Sequence, residues 1–161
     1  MTRSIHIAAI AFGLAAIAAP TSSAPAAVPP ETQPGPDFLV RNAAAKGVVT
    51  TPSGLQYFVV VAGPASGPHP SANDTVTLDY EVKLPTGQVI DSSYATGEPL
   101  TGKAGAFVPG FTEAVELMRP GDEWIVWIPP ELGYGAKDVG PIPGNSVLRF
   151  KLALHRVAPE G

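Results

Sequence analysis

The stretch GQVIDSS, residues 87–93, decides how this chain is read, because of what flanks it. Ahead of it, Val76, Leu78, Tyr80, Val82 and Leu84 alternate with Thr75, Thr77, Asp79, Glu81 and Lys83. That strict period of two predicts a half-buried strand with the apolar set facing inward. Pro85-Thr86-Gly87 then supplies a turn, and residues 89–92 return as a second arm. Beyond it come FVPGF (107–111), PPELGYG (129–135) and PIPGNSVLRF (141–150), each carrying aromatic or branched side chains. One acid, Asp91, stands among them. A pocket lined this way suits the binding and desolvation of a small apolar segment, by chemistry that needs neither a nucleophile nor a metal.

The composition narrows the function from another side. Charged residues make up 15% of the chain and the formal net charge is -4. No block of Lys or Arg offers an electrostatic footprint for nucleic acid. The absence of cysteine excludes disulfides, thiolate metal sites, a cysteine nucleophile and a lipid-modified cysteine. Residues 1–24 read as a secretory signal: Arg3 gives a small positive region, residues 5–19 are apolar, and small residues near Ala18 and Ala24 offer cleavage positions. An uncleaved membrane anchor is the alternative, and both place the domain outside the cytoplasm. Residues 25–36, rich in Pro and Ala, read as an extended, disordered linker.

The rest reads as one folded unit. Residues 37–46 (DFLVRNAAAK) predict a short helix capped by Asp37 and stopped by Gly47. Strands are expected at 55–61, with Leu55, Tyr57, Val59 and Val61 on one face, and at 75–84, 89–92 and 124–128. A last strand alternates Leu148, Phe150, Leu152 and Leu154 with Arg149, Lys151, Ala153 and His155. Between them Phe111, Ala114, Val115 and Met118 fall at i, i+3, i+4 and i+7, the stripe of an amphipathic helix that Pro120-Gly121 should end. The expected class is α+β: an antiparallel sheet of five to six strands wrapped around one short helix. Ile125 and Trp127 face away from Trp124, Val126 and Ile128. Either N-terminal structure covers them or they form an apolar patch for a client or a second subunit.

Three other chemistries fail on context. GEPLTGKA (97–104) resembles a phosphate loop, but Ala104 replaces the magnesium-binding hydroxyl and Pro99 removes a donor, so it reads as a loop carrying Leu100. Ser92 and Ser93 lack a nucleophile-elbow motif, with His69 in a loop and His155 on an outward strand face. The three histidines are too scattered for a metal site. Singly, the pocket candidates also have plain roles: Tyr80, Phe111 and Phe150 as core, Asp91 as a turn cap.

As an ordered set, these motifs carry a resemblance. Residues 57–157 resemble the FKBP-type peptidyl-prolyl cis-trans isomerases, through DYEVKLPTGQVIDSS (79–93), FVPGFTEAVELMRPGDEW (107–124), IPPELGYG (128–135) and IPGNSVLRF (142–150). The lead-in FLVRNAAAKGVVTTPSGLQY (38–57) is similar to the segment ahead of the catalytic domain in bacterial periplasmic members, the macrophage infectivity potentiator-like subgroup. Those often carry a long helical dimerisation domain, where a short stub stands here.

The resemblance implies an isomerase domain over residues 50–158 that speeds rotation about X–Pro bonds in exported proteins, with no cofactor or metal. It places Tyr80 and Asp91 on one side of a proline pocket. Phe107 and Val108 precede the helix, with the Val108 N–H directed at a substrate carbonyl. Phe111 stands in place of the floor tryptophan, Tyr134 in a Tyr-Gly flap, and Ile142 and Phe150 on roof and back wall. Ile90 and Leu100 stand where aromatics are usual. The catalytic set is thus Tyr80, Asp91, Val108, Phe111, Tyr134 and Phe150; Ile90, Leu100, Phe107 and Ile142 bind substrate. The implied partners are proline-containing polypeptides and a macrolide inhibitor, with no nucleic acid and no membrane after signal cleavage. The expected protein is a periplasmic or secreted monomer or weak dimer. The alternative function is an FKBP-like binding module or chaperone with weak or no catalysis.

Overall fold

The computed structural model describes residues 37–160, so the expected signal and linker lie outside the described residues. Helix α1 (Phe38–Ala43) is followed by strands β1 (Val48–Thr50), β2 (Gln56–Val61), β3 (Thr75–Lys83) and β4 (Val89–Ser92). After a one-turn helix α2 (Ser93–Thr96) come β5 (Leu100–Lys103), helix α3 (Pro109–Leu117), β6 (Glu123–Ile128) and β7 (Leu148–Ala158). The α+β class holds, with an antiparallel sheet of seven strands rather than five to six. The additions are β1 and β5, the latter within the segment expected to be a loop around Leu100.

The sheet order is β1-β2-β6-β7-β3-β4, with β5 also pairing β3. Strand β3 is therefore central, and its outer edge is shared. Strand β5 covers Thr75 to Leu78, and β4 covers Glu81 to Lys83. β-branched residues and strict alternation suit β3 to this two-sided pairing. Val76, Leu78 and Val82 from β3 join Val126, Ile128, Leu148 and Leu152 in one buried cluster with Phe111, Ala114, Val115 and Met118 of the helical stripe. Each fully buried aliphatic side chain contributes about 1.5–3 kcal/mol of transfer free energy.

Helix α3 begins with Pro109 at its first position, where a missing N–H costs nothing. It ends at Leu117, earlier than expected. Met118 is already extended, with ψ 165, although its side chain remains buried. Gly121, at φ +94, then turns the chain into β6.

The other face of the sheet carries a second cluster. Ile125 and Trp127 are 2% and 1% exposed, packed with Phe38 and Phe58 and flanked by Leu39, Val48 and Val60. Cover by N-terminal structure is therefore the outcome, and no open patch forms there. Asn42 Nδ2 donates to Gln56 Oε1 at 2.9 Å, and Gln56 Nε2 donates to the Leu39 carbonyl at 2.8 Å. These bonds fix α1, which is too short to be stable alone. Asp37 makes no side-chain cap; its carbonyl accepts the Arg41 N–H instead. Gly47 is left-handed at φ +86 and leads into β1, three residues beyond the helix-ending Ala44. Val61, expected inward, is 46% exposed because the register with β6 shifts between Val59 and Val61.

Candidate active site

Every catalytic and substrate-binding candidate that the resemblance implied lines one cavity of about 440 Å³. Strand β3 contributes Tyr80, β4 contributes Ile90 and Asp91, and β5 contributes Leu100. Phe107, Val108 and Phe111 come from the start of α3, Tyr134 and Ile142 from the β6–β7 connection, and Phe150 from β7. Two further lining residues were not singled out, Val82 and Ala106. Val82 follows from the same inward phase as Tyr80. Ala106 gives no signal in the sequence.

The register explains the convergence. Val82 pairs with Asp91 on one side and Phe150 on the other, so a single row of side chains crosses the sheet beneath the cavity. On β4 the pairing passes from Asp91 to Val89 while β3 advances one residue, and Ile90 is skipped. Consecutive residues of a regular strand face opposite sides. The bulge overrides this and lets Ile90 and Asp91 both line the cavity.

The floor is aromatic. Phe111 lies 4.7 Å from Phe107, tilted at 49°, and 5.4 Å from Phe150 in an edge-on contact at 76°. Phe111 is 3% exposed, so its ring is held by packing alone. Neither tryptophan lines the cavity. Trp124 stacks on Tyr57 at 4.3 Å inside the main cluster, and Trp127 belongs to the cluster on the opposite face.

Asp91 is the one charged residue in the lining. Tyr80 Oη donates to Asp91 Oδ2 at 2.5 Å, and the Ser92 N–H donates to Oδ1 at 2.8 Å. The Asp91 hydrogen bond, then burial, then the Asp91 charge push the Tyr80 phenol up to about 12. Asp91 itself is exposed, which places it at the cavity rim and spares it the desolvation a buried carboxylate would suffer. Tyr134, 43% exposed, also lines the cavity. Its loop is closed by the Gly135 N–H on the Pro130 carbonyl, at 2.9 Å, and by the Asn145 N–H on the Gly135 carbonyl, at 2.8 Å.

A sequence model of the FKBP-type peptidyl-prolyl cis-trans isomerases matches residues 67–155, and one of the domain amino terminal to such isomerases matches residues 18–59. The outer membrane protein MIP of Legionella longbeachae is 43% identical over 121 residues, covering 74% of this chain and 51% of the relative. The chain spans about half the length of that relative and of the peptidyl-prolyl cis-trans isomerase Mip of Coxiella burnetii, 42% identical over 118 residues, with 73% of this chain and 50% of that protein covered. The crystal structure of FkpA from Escherichia coli superposes with a TM-score of 0.73 at 40% identity, covering 76% of this chain and 57% of that one. Fold, cavity and sequence thus converge, and the chain belongs to the FKBP-type peptidyl-prolyl cis-trans isomerase family.

Proposed function

We propose that this chain catalyses cis–trans rotation about X–Pro bonds in exported polypeptides, the isomerase domain spanning residues 50–158. The observation that carries this is the cavity itself: about 440 Å³, floored by Phe107, Phe111 and Phe150, with a single carboxylate at its rim. Its volume lies within the range of roughly 300–1,000 Å³ usual for small-molecule pockets.

Rotation about an X–Pro amide faces a barrier of about 18–20 kcal/mol, because resonance holds the bond planar. In the twisted transition state that resonance is lost and the carbonyl is less dipolar. An apolar cavity removes the planar, dipolar ground state from water. It also accelerates rotation to the extent that it holds the twisted form more tightly than the planar one. No proton transfer or covalent step is required.

The residues divide this work. Phe111, Phe107, Ile90, Leu100, Ile142 and Phe150 grip the proline ring by shape. The Val108 N–H, at the N-cap of α3, makes no bond within its own helix and meets a substrate carbonyl. Tyr134 orients a second carbonyl. Asp91, held by Tyr80, faces the reacting amide.

Proline-containing polypeptides are the substrates, and a macrolide inhibitor of the family's class competes for the same cavity. Because neither tryptophan lines the cavity, competition in the exchange assay reads macrolide binding more directly than tryptophan fluorescence. Export rests on the apolar signal pattern in residues 1–24, and names a periplasmic or secreted protein. Among the described residues no helix is long and apolar enough to cross a membrane. The protein acts as a monomer or weak dimer, which mass measurement under native conditions reads directly.

The deciding experiment is exchange of an X–Pro peptide in the presence of the purified protein. A catalysed rate supports the proposal. A rate equal to background from a folded protein overturns it in favour of a binding module or chaperone.

A further inference from the structure

Strand β3 has a break in its outer partnering. Strand β5 stops opposite Leu78, and β4 begins opposite Glu81, where Ser92 is the partner. Continued by one residue, that register would bring Ser93 opposite Tyr80 and offer its carbonyl to the Tyr80 N–H. The carbonyl is committed elsewhere. It accepts the Gly97 N–H at 2.8 Å and the Thr96 hydroxyl at 3.0 Å, because Ser93 opens helix α2.

The Ser93 side chain takes the vacated role. Its Oγ accepts the Tyr80 N–H at 3.0 Å and lies 3.4 Å from the Tyr80 carbonyl. Its proton goes to Asp79 Oδ1 at 2.7 Å, while Asp79 Oδ2 lies 2.7 Å from His155 Nε2. Ser93 is 3% exposed, so no solvent competes for these bonds. The order of contacts is not that of a serine nucleophile: the acid stands between serine and histidine, and Oγ meets the Asp79 carboxylate rather than the imidazole. Tyr80 is therefore gripped twice by one tripeptide, its hydroxyl by Asp91 and its backbone by Ser93.

We infer that Ser93 is a positioning residue for Tyr80, that its hydroxyl stands in for a missing strand, and that the Asp79 carboxylate fixes the direction of that hydroxyl. The inference rests on the proposed isomerase function for its effect on rate, but not for its effect on geometry. Neither Ser93 nor Asp79 lines the cavity, so both act through Tyr80.

The test compares Ser93→Ala with wild type, Asp91→Leu and Tyr80→Phe. The Tyr80 Cζ resonance of ¹³C-tyrosine-labelled protein at neutral pH reports the hydrogen bond to Asp91. In Ser93→Ala it is expected to move toward its position in Asp91→Leu, and kcat/KM on an X–Pro peptide is expected to fall about threefold, no further than in Tyr80→Phe. In a Tyr80→Phe background the same serine change is expected to alter kcat/KM less than twofold, since its effect passes through the tyrosine. A Tyr80 resonance unmoved in folded Ser93→Ala overturns the inference, as does an undiminished threefold loss in the Tyr80→Phe background. If Ser93→Ala does not fold, Asp79→Asn, which keeps Oγ but weakens its anchor, is read by the same resonance and by the same criterion. A wild-type protein with no isomerase rate removes the proposed function while the resonance still decides the geometry.

Discussion

The Tyr80 hydroxyl donates to the Asp91 carboxylate across 2.5 Å, tying central strand β3 to the short arm β4 at the cavity rim. Because Asp91 is exposed, its loss strands no buried charge. Asp91→Leu is therefore expected to lower kcat/KM roughly tenfold, the equivalent of about 1.4 kcal/mol of transition-state stabilisation, with little change in Tm. Tyr80→Phe keeps the ring and loses the bond, so stability falls by about 1 kcal/mol and activity by a few-fold. Peptide exchange and thermal melts on the two variants check this. Unchanged kcat/KM in both would show that the rim plays no part in rotation.

The same bond makes a prediction in alkali. The Tyr80 phenol is raised from 10.0 to about 12 in the folded protein. A raised folded value means the native state holds its proton where the unfolded chain has lost it. The associated stability is complete below pH 10 and is lost as pH rises from there through about 12. Urea midpoints between pH 9 and 12 are expected to fall more steeply for wild type than for Tyr80→Phe. Parallel curves would mean that the tyrosine–aspartate bond does not form in solution.

Gly110 sits inside α3 between Val108 and Phe111, against the core. A Cβ there would lie 2.5 Å from Ile128 Cγ2 and 3.1 Å from Leu132 Cβ. In an open helix, alanine for glycine would stabilise by about 1 kcal/mol. Ile128 is 0% exposed and has little room to yield, so overpacking of about 1–3 kcal/mol is expected to win. Any relief by shifting α3 also moves Val108 and Phe111. Gly110→Ala should therefore lower both the urea midpoint and kcat/KM. A rise in the midpoint would show that the core relaxes around the methyl.

Particular residues show how far the sequence reached. The alternation of β3 and β7 and the stripe of α3 were legible because each buries one face and leaves the other wet, which fixes the phase of every side chain. Phase marked Tyr80, Phe111 and Phe150 only as core; the family resemblance carried by the ordered motifs implied their place in the pocket. Ile90 and Asp91 could not both be placed in the cavity by alternation, since neighbours on a strand diverge; only the bulge brings them together. Strand β5 was hidden because LTGK has neither alternation nor β-branched weight beyond Thr101, and pairing with Thr75 to Leu78 imposes its conformation. The Ser93 hydroxyl acts where a strand partner is missing, and a missing partner leaves no mark in local sequence.

Ile125 and Trp127 on one face of β6, and Trp124, Val126 and Ile128 on the other, pack into two separate clusters. The first pair packs under Phe38 and Phe58, away from the cavity, while the second set belongs to the core that holds the cavity floor. Phe38→Ala is expected to cost about 3–5 kcal/mol and to free α1 from the sheet. Asn42→Ala leaves the buried Gln56 amide short of a donor and should cost about 1–3 kcal/mol. Below their unfolding transitions, both variants are expected to keep kcat/KM within twofold of wild type. Urea melts read the stability, and peptide exchange at low temperature reads the catalysis. If kcat/KM instead falls in step with stability, the two faces of β6 are coupled, and α1 is part of what holds the cavity in shape.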